Sequence, residues 1–111
     1  MRPKAMEYLR SKTELPEIVI TSGDVVNFDQ KSRQRLKELA LELESASVIL
    51  NVTQVLSMPL PVAVALIQMS LDISASGGSV VLRASEGVAG PMQILGASKC
   101  FKSIEIADSN S

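Results

Sequence analysis

SVILNVTQVLSMPLPVAVALIQMSLDISASGGSVVLR, residues 47–83, is the stretch that decides the fold. It begins and ends with short aliphatic, β-branched runs, 47–52 (SVILNV) and 79–83 (SVVLR). A continuous apolar run of that length predicts a strand buried on both faces. Between the runs, apolar residues recur at helical spacing over 61–75, and Ser76-Gly77-Gly78 supplies a stop. Strand, helix and strand in that order predict parallel pairing through a right-handed crossover.

Working outward, the pattern continues on both sides. Downstream, 84–90 reads as a Gly-rich connection, 91–95 as a short helix closed by Gly96, and 103–106 (SIEI) as an alternating edge strand. Upstream, Leu36, Leu39, Ala40 and Leu43 make one apolar stripe over 28–45, an amphipathic helix laid on a core. Asn27 is its expected N-cap, with Gln30 three residues later as in a capping box. Before it, 17–21 (EIVIT) is a strand ended by a Ser22-Gly23 turn, and 13–16 is a turn after a short first strand over 5–10. The first two strands are expected to be antiparallel. The fold class is therefore α/β, one domain over 1–111 with frayed ends at 1–4 and 107–111. It is built on a mixed, mostly parallel sheet of 4–5 strands with about three helices.

A length of 111 residues suits one core and leaves little room for a deep cleft beside it. Lys+Arg at 11 against Asp+Glu at 12 leaves a net charge of −1, which gives no footprint for nucleic acid. The chain has no histidine, so the usual general base and every Ser-His or Cys-His pairing are absent. One cysteine, Cys100, makes neither an internal disulfide nor a zinc site, and it reads as a small buried residue. The first residues lack the apolar run of a signal peptide, and the most apolar stretch is too short and too interrupted for a bilayer span. These points predict a cytoplasmic, non-spanning, non-catalytic protein with no cofactor and no metal. The glycines at 77–78, 87 and 90 lack phosphate-loop spacing and read as turn residues. Asp24 and Asp29 flank a loop with too few ligands for a firm cation site. Glu42 and Glu44 read as surface charge, and Ser85 as a helix cap.

The helix over 61–75 carries the functional argument. Val62, Leu66, Met69 and Ile73 share one face and should cover the sheet. Val64, Ile67 and Leu71 make a second apolar stripe about half a turn round, where polar residues are expected. Such a helix is either packed on both sides or exposes one stripe as a contact surface. Its start is also unusual. In Ser57-Met58-Pro59-Leu60-Pro61, Pro61 suits the first helical position, leaving Leu60 at the N-cap. The free N–H groups would then bond to Ser57, to water or to a partner.

The order of these motifs resembles the STAS domain family, which includes bacterial anti-sigma factor antagonists, from about residue 17 to 106. Asn51-Val52-Thr53 stands where the family has Asp-Leu-Ser. Pro59-Leu60-Pro61-Val62-Ala63-Val64 stands, without gaps, where it has Asp-Ser-Ser-Gly-Leu-Gly. Ser79 to Arg83, Ser85-Glu86-Gly87-Val88, Met92 to Gly96 and Phe101 to Ile106 follow the family's later strand, helix start, helix end and last strand.

The resemblance implies a regulatory protein that binds an anti-sigma factor or a histidine-kinase signalling component. In the family, a kinase phosphorylates a serine of the Asp-Ser-Ser-Gly loop and so switches partner binding. Here Pro61 occupies the phosphoserine position and has no hydroxyl, so this domain departs from the family at its switch. Ser57 and Thr53 are the neighbouring hydroxyls left as alternative phosphorylation sites. The expected partner-binding residues are Ser57, Met58, Leu60, Val64, Ile67 and Leu71. The alternative implied by the resemblance is a cytoplasmic STAS subunit of a lipid-transporting ABC complex, and a homodimer through the same stripe is a further option.

Overall fold

A computed structural model describes residues 7–9, 16–43 and 46–107. Five strands form one sheet in the order β1-β2-β3-β4-β5. They are β1 (Glu7–Leu9), β2 (Glu17–Thr21), β3 (Ser47–Gln54), β4 (Ser79–Ala84) and β5 (Ser103–Ile106). β1 pairs antiparallel with β2, and every later pairing is parallel. The α/β class and the mostly parallel sheet are therefore as the alternating pattern implies. The expectation of about three helices is corrected to five among the described residues, the short α1 and α5 being additional: α1 (Ser22–Val26), α2 (Gln30–Glu42), α3 (Leu60–Ala75), α4 (Glu86–Ile94) and α5 (Ala97–Cys100). The expected frayed ends at 1–4 and most of 107–111, and the turn at 13–16 apart from Pro16, lie outside the described residues.

Because β2 to β5 are spatial neighbours in chain order, crossovers of one hand put their helices on one face. Burial agrees. Ile18, Ile20, Val48, Leu50, Val52, Val80, Leu82 and Ala84 alternate along β2, β3 and β4 and are all buried. They join Leu36, Leu39, Leu66, Ile73, Val88 and Met92 from the helices in one apolar cluster. The expectation that β3 and β4 are buried on both faces is thus corrected: each is fully buried on one face only. On the other face, half-buried Ile49 lies opposite Val81 and exposes each strand only in part. Polar side chains there pair among themselves. Asn51 Nδ2 donates to Glu17 Oε2 at 2.7 Å, and Arg83 Nε to Glu105 Oε1 at 3.1 Å. Those pairs satisfy polar groups of a sheet face that none of the described helices covers.

Helix ends explain most of the remaining differences. Thr21 and Asp24 form a capping box that opens α1 where a Ser22-Gly23 turn is expected from sequence. Asn27 does not cap α2; it closes α1, and its Nδ2 donates to the Gly23 carbonyl at 2.9 Å. Asp29 caps α2 instead. Its Oδ1 accepts from Ser32 N at 3.0 Å while Ser32 Oγ accepts from Asp29 N at 3.2 Å. Asp29 is therefore the N-cap of α2, and Asp24 is the third helical residue of α1 that returns the bond to its cap, Thr21. α4 starts at Glu86, replacing the expected connection over 84–90, and carries Pro91 inside it. Ser85 holds the N-cap position without a side-chain cap bond.

At the far end of α3, Gly77 takes φ +95°. The Gly78 N–H reaches the Ile73 carbonyl at 2.9 Å, and the Gly77 N–H reaches Ser74 at 3.0 Å, a Schellman closure. Cys100, expected to be buried, is half-buried against the core. Its carbonyl accepts from the buried Ser70 hydroxyl at 2.6 Å.

Candidate functional site

The site is the start and the outer side of α3. The inner stripe, Val62, Leu66, Met69 and Ile73, is buried, with Leu66 and Ile73 at 0% exposure. The outer stripe divides. Val64 is 51% and Leu71 43% exposed, whereas Ile67 is half-buried and packs against the core. Upstream, Leu60 is exposed and Met58 is half-buried against the core. Val64 and Leu71 are two turns apart on one helical face, and Leu60 extends the row by one turn.

Leu56, which the sequence reading does not single out, is a further exposed leucine four residues before Leu60. It is 85% exposed, in the connection between β3 and α3. Nothing periodic marks it, because the connection has no regular structure. Val26, also strongly exposed, ends α1 at the same edge. Ser22 Oγ donates to the Gln54 carbonyl at 2.9 Å and ties the start of α1 to the end of β3. Both leucines and Val26 therefore lie beside the carboxyl ends of the parallel strands, where α/β sheets commonly bind their ligands.

The start of α3 differs from the expectation by one residue. Pro59, extended at φ −64° and ψ 148°, is the N-cap; Leu60 and Pro61 fill the first two helical positions. No side chain caps the helix. The Pro59 carbonyl accepts from Val62 N at 3.1 Å and Ala63 N at 3.0 Å, so those amides turn inward rather than to Ser57 or a partner. Pro61 contributes no N–H at all, which suits a first turn. Ser57 is exposed. Thr53 lies on β3 with its hydroxyl donating to Asn51 Oδ1 at 2.8 Å.

Charge is nearly absent from this helix. Of the 16 residues of α3, Asp72 alone is ionisable, and it accepts a hydrogen bond from Gln68 Nε2 at 3.0 Å. A partner laid along Leu60, Val64 and Leu71 would displace water from aliphatic surface, with Asp72 the one ionisable group of the helix beside it. Among the described residues, no group of three His, Cys, Asp or Glu is placed to hold a metal ion. No helix among them is long and apolar enough to cross a membrane. No protein-family model matches the chain, and no curated protein matches it significantly.

Proposed function

We propose that this protein is a non-catalytic, STAS-like regulatory module that binds a partner protein through the start and outer side of α3. The observation that carries the reading is the exposed aliphatic row Leu60, Val64 and Leu71 on an element with one charge, with exposed Leu56 in the connection that leads into it. Apolar side chains gathered on one exposed face mark contact surfaces far more often than scattered ones do.

The STAS-like assignment draws support from where the motifs fall. Asn51-Val52-Thr53 closes β3, Pro59 to Val64 opens α3, Ser85 precedes α4, Gly96 follows it, and the last strand comes after them. The partner is of the kind the resemblance implies, an anti-sigma factor or another histidine-kinase-type signalling protein. Binding is not switched at Pro61, which lacks the hydroxyl that phosphoryl transfer requires.

The test is affinity capture from native lysate with the wild type beside a Val64→Ser/Leu71→Ser variant, which leaves the inner stripe intact. A kinase-type signalling protein retained by the wild type and lost by the variant is the expected result. Recovery of a membrane ATPase would transfer the protein to the transporter-subunit class. Identical lanes would overturn the proposed surface.

A further inference from the structure

α2 and α3 pack side by side and leave a groove of about 200 Å³ between them. Its floor is apolar, from Leu36, Ala65 and Met69. Val64 stands at one end. Beyond Lys37 and Asp72 the groove runs on as a second hollow of about 270 Å³ towards Leu41 and Ser76. Leu41 is 71% exposed, so both ends of the furrow carry an exposed aliphatic.

The two walls differ in charge. The α2 wall presents Arg33 and Lys37, one helical turn apart, with the neutral Gln30 and Gln34 beside them. Neither cation has a carboxylate partner among the described residues; the ion pairs there are those of Arg35 and Arg83. Arg33 lies over the Phe28 ring at 5.5 Å, which holds it at the rim. The α3 wall carries only Asp72 as a charge, already engaged by Gln68. A chain of net charge −1 thus places on one lip of an apolar furrow two cations without a carboxylate partner among the described residues.

We infer that this furrow is a docking groove for an acidic amphipathic helix of a protein partner. Length fits that occupant. From Gln30 to Leu41 on one wall and from Val64 to Ser76 on the other, the furrow spans about 17 Å, or about three helical turns. Apolar residues at i, i+3/i+4 and i+7 of such a helix would fill the floor, as an amphipathic helix does in an apolar groove. Carboxylates four residues apart on its flank would meet Arg33 and Lys37, which share that spacing. A basic helix would instead bring its charges onto Arg33 and Lys37.

The inference rests on α3 being a partner-binding helix and adds the chemistry of what binds. The test is a titration of the 15N-labelled protein with a designed 12-residue amphipathic peptide bearing glutamates at i and i+4 beside a leucine stripe. The same peptide with lysines for glutamates is the control. Expected are shifts at the amides of Arg33, Lys37, Val64 and Gln68 with the acidic peptide, at least tenfold weaker binding to Arg33→Glu/Lys37→Glu, and no binding of the lysine peptide. Shifts elsewhere, equal binding of both peptides, or no shift at millimolar peptide would overturn the inference. So would concentration-dependent shifts without peptide, which would give the groove to a second copy of the chain. In lysate capture, a partner kept by Arg33→Glu/Lys37→Glu but lost by Val64→Ser/Leu71→Ser removes the groove and leaves the α3 surface standing. A partner kept by both variants removes both.

Discussion

Leu66 and Leu71 lie on the same helix, yet replacing each with alanine should have very different costs. Leu66 is 0% exposed and sits among Val62, Met69 and Ile73 against the sheet. Its truncation loses the transfer energy of the removed atoms and leaves a cavity, together about 2.5–5 kcal/mol. Leu71 is 43% exposed. Burying a whole leucine side chain is worth about 1.5–3 kcal/mol, and a little over half of it is hidden here, so its truncation costs about 1 kcal/mol with no enclosed void left behind. A domain of this size has a total stability of about 5–15 kcal/mol, so Leu66→Ala consumes a large share while Leu71→Ala leaves a sound fold. Urea unfolding followed by circular dichroism reads both as midpoint shifts at unchanged slope. A Leu71→Ala cost above about 2.5 kcal/mol would mean that the outer stripe is packed like core, and the docking argument would lose its basis.

Gly78→Ala should destabilise by about 1–3 kcal/mol, because its Cβ would fall 2.3 Å from the Ala46 carbonyl oxygen and 2.8 Å from a methyl of Ile73. Gly87→Ala meets nothing within 4 Å in the first turn of α4, so it should stabilise by about 0.5–1 kcal/mol; thermal melts showing the same sign for both would contradict the described turn. Ser70→Ala removes the buried hydroxyl that donates to the Cys100 carbonyl and should cost about 0.5–1.5 kcal/mol in the same urea assay. The Ser32 amide and then its hydroxyl hold the Asp29 carboxyl below its ordinary range. A carboxylate lowered on folding stabilises above its unfolded pKa of about 4 and loses that contribution as pH falls through the lowered value. Melting temperatures of the wild type and Asp29→Asn should therefore converge between pH 5 and 2, and a constant gap would refute the assignment.

The sequence is most legible where one period dominates. Leu36, Leu39, Ala40 and Leu43 repeat at helical spacing and are all buried. The two stripes of α3 separate in the structure much as their spacing implies, except that Ile67 leans back towards the core. Strand burial was harder to read. Val19, Ile49 and Val81 put aliphatics on the uncovered sheet face, so a one-sided strand looks continuous and its alternation disappears. Helix starts depend on competition between nearby caps. Asn27 and Asp29 both suit the role, and the Ser32 hydroxyl decides for Asp29 by returning a bond. Leu56 and the α2–α3 furrow escaped the sequence because the first lies in an irregular connection and the second exists only once two helices pack.

The central claim is that the outer side of α3 is covered by a protein partner. Site-specific photocrosslinking in the native cell tests it most directly. A photoreactive phenylalanine would be placed in turn at Leu60, Val64 and Leu71, with exposed Lys99 and Glu105 as controls. The account predicts one partner protein crosslinked at all three α3 positions and at neither control. Adducts at the controls alone, or none at the α3 positions while the partner still co-purifies, would contradict it.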